Sequence, residues 1–331
     1  MNKNSIKEIS LMNALLCLGV VMIHLTSAPL GTLIRPSMAH TFIFIINKSL
    51  CFCVPAFLFL SGFKLHNRYQ NTEINLKKFF CTRVKKIIIP YIISVLIYYV
   101  YFQNKSWVSA KDLPQYILLG TLVAHFYYIV IAVQMYIVFP MLKDVFEKHA
   151  LSILVIALIC TLYSHKYVLR FTYFDRFIGT YIFYFILGMI FSKYKLCEKA
   201  NAVIISGIAG FIITGIIHLK LSYMVITDGF IYRFAETVNT VYVTFAIVML
   251  YGICIKLCAK SNLIYKFADA VSDASYDIYL YHILIIFLLQ YDVYPNFSLS
   301  IKDMFALSLT IVYSLIFTYI ALRYKIKCQK P

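Results

Sequence analysis

The stretch LMNALLCLGVVMIHLTSAP, residues 11–29, decides the fold class of this chain. A run of about 20 mainly apolar residues is long enough to cross the hydrocarbon core of a bilayer as an α-helix. No clear small-residue cleavage site follows the run, so it is predicted to be a retained first membrane span and not a signal peptide. One titratable residue, His24, lies well inside it.

The composition of the whole chain supports the same class. Of its 331 residues, 62% are hydrophobic and 14% are charged, against roughly 45–50% and 25% in soluble globular domains. This balance excludes a soluble globular protein and predicts an all-α, polytopic membrane protein. The nine cysteines are scattered without the spacing of a zinc site, so no metal centre and no bound cofactor are predicted.

Ten apolar runs are long enough to be membrane spans. The start of the fourth run, LLGTLVAH, is expected to be interfacial or re-entrant. The runs are 9–29, 41–63, 86–103, 117–142, 150–165, 175–192, 201–219, 237–259, 271–290 and 304–323. No polar segment between them reaches the roughly 50 residues of a soluble domain, so residues 1–331 are predicted to form one integral-membrane domain.

The positions of Lys and Arg predict the orientation of the spans. The two tails and the even-numbered loops hold 21 of the 31 Lys and Arg residues, and seven of these fall in residues 64–86. Because positive charge is retained on the cytoplasmic side, both termini are predicted to be cytoplasmic. A basic inner rim facing anionic membrane lipids accounts for the net charge of +17, and no nucleic-acid partner is predicted.

His24 is the first candidate for chemistry. An ionisable group inside a span is costly and usually faces the interior of the helix bundle. A histidine there can take a proton from a hydroxyl group and return it, which is general acid–base catalysis. The alternative is a histidine that only joins two helices by hydrogen bonds. The sequence leaves both interpretations open.

The stretch TRVKKIIIPY, residues 82–91, places Arg83 and Lys86 three residues apart at the predicted cytoplasmic start of the third span. Residues at this spacing lie on one face of a helix. One interpretation is a positive-inside membrane anchor. The other is a pair of cations that binds a phosphorylated ligand.

Two further histidines lie in or near spans. His282 falls inside the ninth span in SDASYDIYLYHILII, residues 272–286, where it suits either helix packing or chemistry. Ser272 or Asp273 is expected to cap that helix at its N-terminus, with Ser275 close by. His125 lies near an aromatic-rich helix entrance and has the character of a residue at the membrane interface.

These pieces, in this order, resemble the acyltransferase 3 family of integral-membrane acyltransferases. The resemblance extends from the first span to the ninth. The stretches that carry it are VMIHLTS (21–27), CVPAFLFLSGF (53–63), TRVKKIIIPY (82–91), HFYYIVIAVQMYIVFPML (125–142) and SYDIYLYHILI (275–285). The resemblance implies a ten-span protein that moves an acyl group, usually acetyl, from cytosolic acyl-coenzyme A to a hydroxyl of an extracytoplasmic glycan. Within the family the chain is similar to proteins of exopolysaccharide and capsule operons, so a polysaccharide or lipid-linked glycan acceptor and the bacterial plasma membrane are implied.

The resemblance also implies roles for single residues. His24 matches the essential first-span histidine of the family and would be catalytic. Arg83 and Lys86 match an Arg-x-x-Arg pair that meets the acyl donor, with lysine at the second position here. Asn13, His125, Ser275 and His282 are accessory candidates.

Asn13 departs from the pattern of the family, which usually has an arginine eleven residues before the histidine. Eleven helical residues return to the same face within about 20°, roughly 16 Å along the axis. The missing charge therefore belongs to the same pathway as His24. Lys7 is the candidate to replace it.

Two rival functions remain on the sequence. A transporter or flippase for a lipid-linked or growing glycan would also line its path with buried polar residues, although the chain has no internal repeat and no paired Gly/Pro-broken spans. The second rival is an inactive homologue with a role in assembly, which stays open because Asn13 departs from the family pattern.

The charge distribution makes a direct prediction about topology. Reporter fusions after residues 75 and 330 should read cytoplasmic, and a fusion within residues 104–114 should read extracytoplasmic. An extracytoplasmic signal after residue 75 would contradict a donor site at Arg83 and Lys86, because both cations would then face away from the cytosolic acyl-coenzyme A pool.

Overall fold

A computed structural model describes residues 4–35, 37–168, 171–229, 234–260, 262–294 and 300–328. These residues form α-helices joined by short 3-10 and π-helical turns, and they include no β-strand. The predicted all-α class is confirmed. The helices are α1 (Asn4–Thr32), α2 (Met38–Ser49), α3 (Cys53–Tyr69), α4 (Leu76–Arg83), α5 (Ile89–Asn104), α6 (Leu113–Leu119), α7 (Tyr127–Val168), α8 (Ile182–Lys193), α9 (Ala200–Asp228), α10 (Ala235–Lys260), α11 (Asn262–Leu288) and α12 (Ile301–Cys328).

Eight helical stretches within the described residues are long and apolar enough to cross a membrane, which confirms a polytopic membrane protein. Helix α7 is one of the eight, although it runs for 42 residues and its backbone leaves the helical region at His149. The sequence predicts two spans there, divided at the same place. The total of ten spans and the cytoplasmic termini stay predictions.

The sixth predicted span is shorter in the structure than in the sequence. Helix α8 has 12 residues, a length of about 18 Å against the roughly 30 Å of a bilayer core. The preceding residues form two 3-10 turns, Phe174–Arg176 and Ile178–Thr180, in place of the helix expected from residue 175.

Side chains of α7 hold the backbone of that non-helical segment. The Gln134 amide donates to the Arg176 carbonyl (2.8 Å) and accepts from the Ile178 N–H (2.9 Å). The Thr161 hydroxyl donates to the Gly179 carbonyl (3.0 Å). Irregular backbone at membrane depth is tolerated only where protein or water satisfies it. Gln134 and Thr161 therefore explain how the chain stops being helical before α8.

The fourth predicted span also begins later than its apolar run. Helix α6 ends at Gly120, which has a φ of +63° and so adopts the left-handed conformation that ends many helices. Helix α7 begins at Tyr127. The stretch LLGTLVAH thus lies outside the long helix, and its interfacial or re-entrant position stays a prediction.

The chain divides into two compact units. Unit 1 comprises Met1–Phe57 and Cys197–Pro331, and unit 2 comprises Leu58–Leu196. The boundary falls inside α3. The single domain expected over residues 1–331 stays a prediction.

Unit 1 is built around α1, which contacts α2, α10, α11 and α12. Met12, Leu16, Val20 and Val21 are each at most 2% exposed. A helix that is apolar on all sides is a buried helix. Any polar group on α1 must therefore find its partners within unit 1.

Unit 2 has a close helix crossing made by two glycines. A Cβ atom at Gly62 of α3 would lie 2.0 Å from the Phe185 carbonyl oxygen, and one at Gly188 of α8 would lie 2.0 Å from that of Phe59. Small residues let helix backbones approach closely in membranes. This crossing holds the short helix α8 against α3.

Candidate active site

The interface between α1 and α11 in unit 1 is a seam of polar side chains. Each side chain of α1 in the seam meets a residue of α11 that lies 258 or 259 positions later in the chain, so the two helices run parallel. The contacts are Asn13 with Ser272, Cys17 with the Ser275 carbonyl, and His24 with His282. We call these six residues the α1–α11 seam.

The two histidines of the seam lie side by side. The ring centroids of His24 and His282 are 5.2 Å apart and the ring planes are inclined at 52°. His24 is half-buried, whereas His282 is only 1% exposed. The structure therefore brings together the two histidines that the sequence singled out within spans, and it leaves His24 the more accessible of the two.

Backbone carbonyls fix the ring of His282. Its Nδ1 atom lies 2.9 Å from the carbonyl oxygen of Ile278 and 2.9 Å from that of Tyr279, one turn earlier in α11. Carbonyl oxygens only accept hydrogen bonds, so Nδ1 carries the hydrogen and donates it. The ring is consequently held in one orientation relative to its own helix.

An amide from α2 supports the α1 backbone beside His24. Nδ2 of Asn47 donates to the Ile23 carbonyl (3.0 Å) and to the Thr26 hydroxyl (2.9 Å). Asn47 is 9% exposed and Thr26 is fully buried. Sequence analysis missed Asn47, although an amide in the apolar run 41–63 was a signal that could have marked it.

Asn13, where the sequence resemblance implies that arginine is usual, is an asparagine with partners on α11. It is 7% exposed, and its Nδ2 donates to the hydroxyls of Ser272 (2.9 Å) and Ser275 (2.8 Å). The Ser275 hydroxyl in turn donates to the Ser272 carbonyl (2.7 Å). Asn13 and Ser275, both accessory candidates, are thus brought together by a hydrogen bond that joins α1 to α11.

The structure places Lys7 against an aromatic ring of α11. Its ammonium nitrogen lies 5.1 Å from the ring centroid of Tyr265 on α11, which is a cation–π contact. Asn13 bonds to serines and Lys7 to this ring. The idea that Lys7 supplies the charge missing at position 13 stays a prediction.

The expected helix cap at Ser272 or Asp273 is wrong. Helix α11 begins at Asn262, ten residues earlier, so both residues lie inside the helix. In the sequence, these two polar residues before the apolar run had the pattern of an N-terminal helix cap. In the structure, Ser272 contacts α1 and Asp273 is exposed. Asp277 accepts a hydrogen bond from the Tyr319 hydroxyl (2.7 Å) and pairs with Arg323 of α12.

The two cations of the TRVKKIIIPY stretch lie in unit 2, on either side of a change in helix type. Arg83 ends α4, and residues Val84–Ile88 form a π-helical turn before α5. A π turn takes more residues than an α turn and often marks a functional site. Arg83 and Lys86 are therefore rotated further apart around the axis than an α-helix would place them.

Arg83 and Lys86 differ in their surroundings. The Arg83 guanidinium lies 3.6 Å from the ring centroid of Phe79 and 5.7 Å from that of Tyr136, and it donates to the Phe79 carbonyl (3.2 Å). Lys86 is exposed. Arg83 also lines a small, mainly apolar pocket with Val84 and Tyr136. One cation is thus held on aromatic rings while the other is open to solvent or lipid headgroups.

His125 belongs to the packed interior of unit 2. It is 3% exposed, and its ring lies 4.4 Å from that of Phe126 and 6.1 Å from that of Tyr98. The sequence suggested a residue at the membrane interface. The structure instead buries His125, together with Phe126, in the short 3-10 turn Ala124–Phe126.

Sequence analysis also missed a buried polar network in unit 2. His66 is 1% exposed; its Nδ1 lies 2.9 Å from the Ser192 hydroxyl and its Nε2 lies 2.9 Å from a Glu147 carboxylate oxygen. The other oxygen of Glu147 is 3.2 Å from the Lys193 ammonium. The network joins the ends of α3 and α8 to α7 near its break at His149. No local pattern marks it, because its members come from three separate runs.

Residues 6–323 match the sequence model of a family described as an acyltransferase domain. The chain belongs to the acyltransferase 3 family. The match begins in the first turn of α1, ends within α12 and so includes all of α11 and all of unit 2. No curated protein and no solved structure matches the chain.

Membership in the acyltransferase 3 family confirms the resemblance seen in the sequence and assigns acyl transfer in general terms. The match covers every residue of the α1–α11 seam as well as Arg83 and Lys86. The narrower similarity to proteins of exopolysaccharide and capsule operons stays a prediction.

The hydrogen bonds of Asn13 across the α1–α11 seam can be tested by measuring the free energy of unfolding. Asn13→Leu removes the amide and leaves the half-buried hydroxyl oxygens of Ser272 and Ser275 without their donor, which should cost about 1–3 kcal/mol of unfolding free energy. Replacing both sides of a hydrogen bond costs less than replacing one. Asn13→Leu combined with Ser272→Ala and Ser275→Ala should therefore be more stable than the sum of the separate effects predicts.

Equilibrium unfolding of the full chain in mixed micelles measures this coupling. Thr310→Ala is the matched control, because that exposed hydroxyl donates only to the Ala306 carbonyl of its own helix, and little change is expected. Strictly additive effects of the seam substitutions would contradict the bonds assigned to Asn13.

Proposed function

We propose that this chain is a membrane-bound O-acyltransferase of the bacterial plasma membrane. It takes an acyl group, acetyl by the family resemblance, from cytosolic acyl-coenzyme A. It places that group on a hydroxyl of a cell-surface or exported polysaccharide. The observation that carries the proposal is the half-buried His24 beside His282 in a chain of the acyltransferase 3 family.

His24 is the general base in this proposal. It is the more accessible histidine of the pair, and an imidazole accepts a proton from a hydroxyl near neutral pH. In a site that excludes bulk water, proton removal makes the acceptor oxygen nucleophilic towards the thioester carbon. Asn47 and Thr26 support this role by fixing the α1 backbone next to His24.

Arg83 and Lys86 bind the phosphate groups of the donor. A guanidinium and an ammonium are the side chains that proteins use for phosphate recognition. The packing of Arg83 on Phe79 supports this assignment, because a cation held by aromatic rings loses less conformational freedom when a ligand binds. The predicted cytoplasmic position of residues 64–86 places both cations on the side of the acyl-coenzyme A pool.

The acceptor is assigned from chemistry and orientation. The donor enters from the cytosol, and His24 lies in the predicted outer half of the first span. This arrangement suits an acceptor hydroxyl that arrives from the extracytoplasmic side. Hydroxyl groups of an exported glycan satisfy this requirement, and the resemblance to proteins of exopolysaccharide and capsule operons points to the same acceptor class.

Substitution of His24 tests the proposal. His24→Ala and His24→Asn should each lower the ester content of the surface polysaccharide to background, since removal of a general base costs ~10²–10⁴ in rate. His24→Asn keeps a polar side chain but cannot carry the proton. Ester content and polymer export are both measured in a strain that lacks the native gene and carries one variant.

The control is Thr32→Ala, which removes an exposed hydroxyl on the same helix that donates to the Ala28 carbonyl, and it should leave ester content unchanged. Normal ester content with His24→Asn at equal protein level would contradict a base at this position. Loss of polymer export together with the ester would favour the transporter instead.

A further inference from the structure

We propose that His282 is a positioning residue for His24. When the acceptor hydroxyl binds, Nε2 of His282 accepts a hydrogen bond from the ring of His24 and so decides which nitrogen of His24 takes the proton of that hydroxyl. The inference rests on the proposed acyl transfer and concerns the same site.

The protonation state of His282 follows from its contacts. Nδ1 lies 2.9 Å from two carbonyl oxygens, and neither of them can donate a hydrogen. Nδ1 must therefore carry the hydrogen, and a neutral imidazole has only one. Nε2, which is itself buried and accepts no hydrogen bond from the residues that the structure describes, is left as a hydrogen-bond acceptor.

The neighbouring ring is the natural donor to that acceptor. The centroid of the His24 ring lies 5.2 Å from that of His282, so a rotation of the His24 side chain is enough to bring one of its nitrogens within hydrogen-bonding distance of Nε2. The inclined planes allow the edge of one ring to address the edge of the other. A neutral His24 that donates its single N–H to His282 has a lone pair on its second nitrogen, and that nitrogen is the base.

The difference in burial assigns the two roles. His282 is 1% exposed and is held by its own helix, so a substrate cannot reach it without displacing α1. His24 is half-buried and is the ring that a hydroxyl can approach. A base that is oriented by a third group, itself fixed by the protein, is the arrangement that activates nucleophiles in other acyl-transfer enzymes.

The register of the seam holds this pair together. Asn13 bonds to Ser272 and Ser275 about seven to eleven residues before the histidines on the two helices. Because both helices advance at the same rise per residue, a bond at one end of the seam fixes the level of residues at the other end. His282 is therefore kept at the height of His24 and not one turn away.

With His282 in this role, every proton removed and every bond broken in the transfer reaction has a destination. The acceptor O–H gives its proton to the free nitrogen of His24 as the new oxygen–carbon bond forms. The carbon–sulfur bond of the thioester breaks, and the leaving thiolate of coenzyme A takes the proton back from His24. Throughout, the second N–H of His24 stays donated to Nε2 of His282, which stabilises the transient imidazolium by a charge-assisted hydrogen bond. His282 neither gains nor loses a proton.

Substitutions at His282 separate positioning from packing and from direct catalysis. His282→Gln keeps an acceptor oxygen near the place of Nε2 but cannot act as a base, whereas His282→Leu keeps bulk and removes the acceptor. Loss of a partner that orients a metal-bound histidine costs about 10–100-fold in activity, and the same factor is the guide for a partner that orients a histidine base. We expect His282→Leu to lower the maximal rate by about that factor, with the KM for acetyl-coenzyme A unchanged, and His282→Gln to recover at least about tenfold of the loss.

The assay uses the full chain in inverted membrane vesicles with radiolabelled acetyl-coenzyme A and the endogenous glycan, and rates are expressed per folded protein. His218→Leu is the matched control. It removes another buried imidazole of unit 1, one that stacks on Tyr242 with 4.5 Å between centroids. It should change the amount of folded protein and leave the rate per folded molecule unchanged.

Each outcome is decisive. A full rate with His282→Leu would overturn the inference, because His282 would then serve only in packing. An equal loss of rate in the Gln and Leu variants would also overturn it, because His282 would then act as a base or through its shape alone. If the unsubstituted protein forms no labelled ester while the glycan is present, the proposed function itself fails. That result is distinct from any difference between variants.

Discussion

The hydrogen bonds between Asn13 and the serines at positions 272 and 275 are the constraint on which the candidate site depends. Helix α1 is apolar on nearly all sides and is buried in unit 1, so its few polar groups need partners from neighbouring helices. Asn13 finds them on α11, more than 250 residues later in the chain. Two parallel helices locked at this point carry their histidines to the same height, and the close approach of His24 and His282 follows from that register.

Unit 2 meets a different physical demand, because it contains backbone that is not α-helical at places where the sequence is strongly apolar. Gln134 and Thr161 satisfy the segment before α8, and the left-handed Gly120 ends α6 before the irregular entry to α7. The π turn after Arg83 is the third such place. Each irregularity lies next to a charged residue, Arg176 or Arg83, or next to buried His125. Unit 2 thus combines an irregular backbone with its polar side chains, whereas the polar seam of unit 1 lies on α-helical parts of α1 and α11.

The parts of this account that the sequence predicts are those with a local signal. Apolar runs predicted an all-α membrane protein, and histidines inside such runs marked His24 and His282. The sequence did not predict that these two meet, since hydropathy gives the length of a helix but not its neighbour. It placed the start of α11 ten residues too late, because polar residues such as Ser272 resemble a cap when they in fact bond across to α1. The network of His66, Glu147, Ser192 and Lys193 was missed for the same reason: its contacts are long-range.

Acyl transfer across the membrane by this chain can be tested directly by reconstitution. The purified protein is placed in lipid vesicles with radiolabelled acetyl-coenzyme A on the side of residues 64–86, and with polysaccharide from a strain that lacks this gene on the other side. We expect label to appear as alkali-labile ester on the polysaccharide, in proportion to the thiol of coenzyme A released. Thiol release without label on the polysaccharide, or no transfer from either side, would contradict the account.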